Sequence, residues 1–246
     1  MNKEVSLNPI TEKRSVSGYY YAEEREYVYF VTDAPREQNY RFIFDSGAIY
    51  SQDDADGEVR PSSEAEFFAV VKKILAQYRD KILEHSAELE NYEKIYTRRG
   101  DFSNFMKRHS ALKYEIRKFQ NKISHFYEAL LICANEQPAL KKQLKNYAYE
   151  AGVFKGVMSE YAVRIEDIYQ FIQGLKNDKI SRNIYILTII SSLLLPLNFI
   201  TSFFGMNTTG LFLSGSAHGT LIVTLAMCVI FAAMVGFLML YAKKRN

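Results

Sequence analysis

IYILTIISSLLLPLNFITSFF, residues 184–204, runs for 21 residues without a charged side chain. GTLIVTLAMCVIFAAMVGFLMLY, residues 219–241, runs for 23 more. At about 1.5 Å per residue, each is long enough to cross the roughly 30 Å hydrocarbon core as a helix. Lipid demands a helix, because a lone span must satisfy its own backbone polar groups. Only 14 residues separate the two runs, and none is Asp, Glu, Lys or Arg. A transmembrane hairpin is therefore expected over residues 184–246, with Gly205-Met206-Asn207 at the start of its loop.

Charge orients the hairpin. Lys176, Lys179 and Arg182 precede the first run, Lys243, Lys244 and Arg245 follow the second, and the loop has no basic residue. The positive-inside bias puts both termini in the cytoplasm and residues 205–218 outside. The expected location is the cell (inner) membrane, with the first 180 or so residues forming a cytoplasmic region. A net charge of +3 over 246 residues gives no case for nucleic acid. Cys133 and Cys228 lie far apart in sequence, which excludes a disulfide framework or zinc spacing and fits a reducing compartment. The opening MNKEVSLNPITEK has no apolar run, so no cleavable signal peptide is expected.

Residues 1–60 read as a small β-rich segment. Residues 19–22, 27–32 and 41–44 are short runs rich in Tyr, Phe, Val and Ile, separated by turn formers such as Asp33-Ala34-Pro35 and Asp45-Ser46-Gly47. Three or four such strands bury little alone and need the following helices. Asp53-Asp54-Ala55-Asp56-Gly57 is only loosely like a calcium loop. Gln52 stands where the first acidic ligand belongs and Ser63 where the closing Glu belongs, so it reads as a solvated turn.

Residues 61–183 read as long cytoplasmic helices. Ser63-Glu64-Ala65-Glu66 has the capping-box spacing, and Phe67, Val71, Ile74, Tyr78, Ile82, Leu89, Tyr92 and Tyr96 follow at helical steps. Gly100-Asp101 breaks that helix. A second carries Phe102, Phe105, Leu112, Ile116, Phe119, Ile123, Phe126, Leu130 and Cys133, with His109 in the same series as a packing residue. Pro138 is expected to end it and open a third.

The third helix has the most regular pattern. Leu140, Leu144, Tyr147, Ala151, Phe154, Met158, Tyr161, Ile165, Ile168, Ile172 and Leu175 alternate steps of four and three, as in a coiled-coil seam. Ala148, Gly152 and Gly156, four apart, are expected to let another backbone approach. Nothing breaks the helix before Ile184, so it should continue into the first span for about 100 Å at the standard rise. Such a rod is expected to lean on the two preceding helices and, through its seam, on copies of itself.

Within the first span lies Pro196, and Thr188, Ser191, Ser192, Asn198, Thr201 and Ser202 recur at steps of three and four. Asn198 should avoid lipid, since an amide at membrane depth needs protein or water. The Ser and Thr hydroxyls fit either a water-lined path or plain helix packing.

Phe203-Phe204-Gly205-Met206-Asn207, preceded by LTIISSLLLPLNFIT and followed by a second span and a basic tail, resembles the CorA family of divalent-cation transporters. That family carries a Gly-Met-Asn tripeptide at the outer end of the first of two C-terminal spans. The match covers about residues 140–246. It implies an α-helical membrane protein with a long stalk helix continuous with its first span and a small α+β cytoplasmic N-terminal domain. It also implies a homopentamer whose first spans line a pore, with Gly205, Met206 and Asn207 at its selective mouth. Asn207 would contact the ion, Gly205 would allow the turn, and Met206 would pack. By position Asn198 matches the next polar ring and a second metal contact, while Ile184, Leu187 and Leu195, with Ser191, line the narrower path. Mg²⁺ is the expected cargo, with Zn²⁺, Co²⁺ or Ni²⁺ as the close alternative, since a ring of neutral amides can hydrogen-bond the tightly held waters of Mg²⁺ without trapping it. No cofactor is expected; the cation is what moves.

The sequence departs from the family in two ways. The loop Thr208-Thr209-Gly210-Leu211-Phe212-Leu213-Ser214-Gly215 has no carboxylate and looks more like the zinc-transporting ZntB branch, with His218 nearby as a potential soft ligand. The cytoplasmic region is also short, so the family's intersubunit ion-sensing sites do not carry over. A membrane-anchored coiled-coil scaffold is the alternative from another class. An enzyme is not expected, because no phosphate loop, metal cluster or nucleophile motif is present.

Overall fold

Aromatic and β-branched side chains run almost continuously through the strands of residues 18–62, and successive residues point to opposite faces, so both faces of the sheet carry side chains to bury. The computed structural model describes residues 10, 14–22, 24–32, 39–53, 57–99, 105–205 and 218–245. The strands β1 (Gly18–Ala22), β2 (Arg25–Phe30), β3 (Tyr40–Asp45), β4 (Ala48–Asp53) and β5 (Val59–Ser62) form one antiparallel meander in chain order. The three expected strands are present, and two more extend the sheet. β5 is short and contains Pro61, which cannot donate to a ladder and so suits an edge. Between β3 and β4, Asp45 pairs with Ala48. Ser46 and Gly47 make that two-residue turn with φ of 51° and 83°, the positive values that match strand twist.

One sheet face carries Val28, Phe30, Phe42 and Phe44 into the main core. Phe67 of the first helix meets three of these rings, with centroids 5.0 Å from Phe42, 6.0 Å from Phe44 and 6.1 Å from Phe30. The other face buries Tyr27, Tyr29 and Ile43 together with Ile10. Arg41 and Gln52, paired across β3 and β4, are buried there too. Arg41 Nη1 donates to the Ile10 carbonyl and, at 2.8 Å, to Gln52 Oε1. Gln52 also accepts from the Ile10 amide and donates back to its carbonyl, both at 3.3 Å. Ile10, through its backbone N–H and C=O and its buried side chain, thus belongs to the layer on this face of the sheet.

The helices are α1 (Glu64–Arg99), α2 (Phe105–Glu136), α3 (Lys141–Gly205) and α4 (Gly219–Arg245). Half of the expected capping box forms at α1. Ser63 Oγ accepts from the Glu66 amide at 3.2 Å, but the Glu66 carboxylate accepts instead from Ser62 Oγ at 2.8 Å and from Arg60 at 3.2 Å. At the other turn, α2 ends one residue before Gln137, and Pro138-Ala139-Leu140 form a turn before α3 rather than its first residues.

Residues Met1–Ile172 form one compact unit. In it α1, α2 and the first half of α3 make an up-down-up bundle. Arg79 with Glu150 and Arg164 with Glu93 are both spaced 71 residues apart, so α1 and α3 run parallel. Gln120 bonds Ser159 while Lys113 bonds Glu166, so α2 runs antiparallel to α3. The expected α2 face is buried at Ile116, Phe119, Ile123, Phe126, Leu130 and Cys133.

The α3 seam differs from its sequence reading. Leu140, Leu144, Ala151, Met158, Ile165, Ile168 and Ile172 are buried within the chain's own core, beside α1 and α2. As far as Ile172 the heptad pattern is thus filled by the chain's own helices, while Leu175, the last residue of the seam, is exposed. The reason is geometric: knobs-into-holes packing serves any helix neighbour, and two neighbours lie in the same chain. Gly152 likewise makes room for a side chain rather than a backbone, since a Cβ there would sit 3.2 Å from the Tyr127 ring. Gly156 faces open space. The second unit, Gln173–Asn246, holds the rest of α3 and all of α4.

Candidate functional site

α3 stays helical through Pro196, which cannot donate a hydrogen bond to the Ser192 carbonyl one turn back. Helical register puts Ile184, Leu187, Ser191, Leu195 and Asn198 on one side of it, at steps of three, four, four and three. Ser202 and Gly205 continue the same stripe. Every one of these residues is exposed in the single chain, Leu187 at 64% and Leu195 at 70%. The most apolar 18-residue window of α3 has mean hydropathy 1.9 with none of it buried, and it is long enough to cross a membrane. Apolar surface on that scale marks contact with lipid or with other protein.

Two of the polar residues are committed to their own helix. Thr188 Oγ1 donates to the Ile184 carbonyl at 2.8 Å. Thr201 Oγ1 lies 3.0 Å from both the Leu197 and Asn198 carbonyls. These hydroxyls follow the packing alternative. Ser191, Asn198 and Ser202 sit on the stripe itself.

α3 ends at Gly205, and Met206 and Asn207 lie outside the described residues. So does the loop up to Ala217. His218 stands exposed just before α4, and its carbonyl accepts from the Ile222 amide at 3.1 Å in that helix's first turn. Of the calcium-like segment, Asp53 closes β4 and residues 54–56 lie outside the described residues. Among the described residues no group of three His, Cys, Asp or Glu side chains could hold a metal.

Besides the Arg41–Gln52 pair, the N-terminal unit contains a polar cluster that sequence reasoning missed. At the turn between α2 and α3, Gln137 Nε2 donates to the Tyr19 hydroxyl and to Glu26 Oε2, each at 2.9 Å. The Tyr19 hydroxyl donates to the same carboxylate at 2.8 Å. Burial pushes the Tyr19 phenol well up and the Cys133 thiol up to about 12, Glu26 adding to both. A thiol held so far from ionisation is not a nucleophile. The cluster ties the sheet to the helical turn.

On α3, polar side chains thus interrupt an exposed apolar stripe that runs to Gly205, the last residue of the helix. Residues 51–245 match the family described as CorA-like Mg²⁺ transporter protein. No curated protein matches the chain in sequence. Among solved structures, the chain is similar to the CorA magnesium transporter from Methanocaldococcus jannaschii, with 14% identity and a TM-score of 0.72, covering 90% of this chain and 78% of that one. It is also similar to the full-length CmaX protein, with 12% identity, a TM-score of 0.65, and 96% and 79% of the two chains covered. The ZntB cytoplasmic domain from Vibrio parahaemolyticus matches at 10% identity and a TM-score of 0.51, over 69% of this chain and 77% of that one. These likenesses give a shared fold with a long helix and a small N-terminal sheet. With most of its length matched in sequence as well, the chain belongs to the CorA-like Mg²⁺ transporter family.

Proposed function

We propose that the protein moves Mg²⁺ across the inner membrane through a pore built by several copies of itself, most simply five. One observation carries the reading. Ile184, Leu187, Ser191, Leu195 and Asn198 lie in register on one side of α3, and that stripe ends at Gly205-Met206-Asn207. Around a central axis, the apolar members form constrictions that gate by dewetting, while Asn198 and Asn207 form two rings of amides. Residues 219–241 supply the second span, and both termini face the cytoplasm. No nucleotide is needed, because a divalent cation gains about 4–5 kcal/mol per 100 mV of inward potential.

The test is uptake into proteoliposomes holding purified protein, under an inside-negative potential and without nucleotide. Mg²⁺ influx that rises with the potential is expected. The carboxylate-free loop after Asn207 favours Zn²⁺ as a second cargo, so the same vesicles are challenged with Zn²⁺ with and without a pH gradient. Zn²⁺ influx exceeding that of Mg²⁺ would transfer the assignment to the ZntB branch, and influx of neither would end it.

A pore needs an assembly surface other than the filled α3 seam. Tyr149, Val153, Gly156, Val163 and Phe171 recur at helical spacing on the opposite side of α3, exposed, with Tyr149 at 77%. Val163→Asp combined with Phe171→Asp is expected to lower the oligomer mass by native mass spectrometry while the cytoplasmic unit stays folded. A monomeric wild type, or a double variant with wild-type mass, would remove this surface from the assembly.

A further inference from the structure

The cytoplasmic unit buries two histidines in different electrostatic settings. His85 on α1 packs its ring 5.6 Å from Phe119, and its Nδ1 lies 3.4 Å from the Glu88 carboxylate. A proton on His85 has a counter-charge at hand. His109 on α2 sits where all three helices meet, its ring 4.9 Å from Tyr169 of α3 and 6.3 Å from Tyr92 of α1. One turn along, Lys113 Nζ bonds Glu166 Oε2 at 2.5 Å and clasps α2 to α3.

The described titratable and charged groups around His109 come from every helix. α1 contributes Tyr92 and, at the neighbouring turn, Glu93, which binds Arg164 of α3 through two bonds of 2.7 and 2.5 Å. α2 contributes Lys113, and α3 contributes Glu166 and Tyr169. Burial comes first, then the Lys113 ammonium, in holding His109 below the ordinary histidine range, while Glu166 pulls the other way. The tyrosine faces offer an imidazolium some cation–π attraction, but less than the hydration it gives up.

We infer that His109 is a proton switch for this end of the bundle. Neutral, it packs between Tyr92 and Tyr169 beside an intact Lys113–Glu166 clasp. Protonated, it brings a second cation to that clasp and competes with Lys113 for Glu166, so α2 and α3 loosen. Because the folded protein holds the proton less tightly than the unfolded chain, protection is complete above the unfolded value near pH 6.5 and is lost as pH falls below it. Tyr169 lies on the helix that continues past Ile172 as the candidate span, so loosening there acts on the stalk. The switch rests on the bundle alone and stands or falls separately from transport.

Hydrogen exchange of the full chain in detergent, at pH 7.5 and pH 5.5 and corrected for intrinsic rates, tests it. Residues 161–172 and 86–94 should exchange about tenfold faster at pH 5.5. His109→Gln should keep its protection at both pH values, whereas His85→Gln should respond as the wild type does. Lys113→Gln removes the clasp itself, so residues 161–172 should exchange fast already at pH 7.5 and should not quicken further at pH 5.5. A wild type with no pH response, or a His109→Gln variant that responds like the wild type, overturns the inference, as does a Lys113→Gln variant whose exchange still quickens at pH 5.5 as the wild type's does.

Discussion

Asn207→Ala is expected to reduce divalent-cation uptake by at least about 100-fold while leaving oligomer mass and fold unchanged. A hydrated Mg²⁺ keeps its inner waters and is held at a pore mouth through them. Hydrogen bonds involving charged partners contribute about 1.5–3 kcal/mol each. Losing even two from a ring of amides then costs about 3 kcal/mol or more, which is two decades in occupancy. Asn207→Asp separates binding from geometry. It preserves the acceptors but adds charge, so it should bind more tightly and release more slowly. The measurement is initial influx per oligomer in proteoliposomes, with native mass spectrometry on the same sample. Wild-type influx in Asn207→Ala would remove the residue from the pathway.

Ile165→Asp is expected to unfold the α1–α3 bundle rather than merely separate intact subunits. Ile165 is fully buried among α1 and α2 residues of its own chain. Removing such a side chain costs about 2–5 kcal/mol, and an unpaired buried carboxylate adds to that. The total is comparable to the whole stability of an ordinary domain. Trypsin should cut the α1–α3 region of Ile165→Asp rapidly at 25 °C in conditions where the wild type resists. Val163→Asp, two residues away and 60% exposed in the wild type, should resist like the wild type. If Ile165→Asp remained protease-resistant and became monomeric, the seam would be an interface between subunits after all.

These two substitutions separate what periodicity can state from what it cannot. The steps of four and three from Leu140 to Ile172 indicate a helix and its inward side, and the apolar residues at those steps are buried or half-buried. Periodicity names a face and not its partner, so the same pattern was compatible with a second chain or with α1 and α2. The capping box was half legible for a similar reason. Ser63 acts on the local backbone, but Arg60 and Ser62 of β5 draw the Glu66 carboxylate away. Arg41 and Gln52 were invisible in the sequence because they look like ordinary strand polar residues. Only the antiparallel register places them side by side around the Ile10 peptide.

By itself the sequence determined those features that depend on local spacing and on transfer from water. They include an apolar run long enough to span lipid, short strands rich in aromatics, and the helix ends at Ser63 and near Pro138. The tripeptide at the end of the span pointed to the family through identity and position, which need no coordinates. Tertiary structure alone decided which helix faces meet, because a buried stripe gains the same free energy against any apolar partner. It also decided that Gly152 serves Tyr127 and that His109 lies between two tyrosines beside a lysine. Those environments bring together residues up to 77 positions apart in the chain, from Tyr92 to Tyr169, and no short window of sequence contains them.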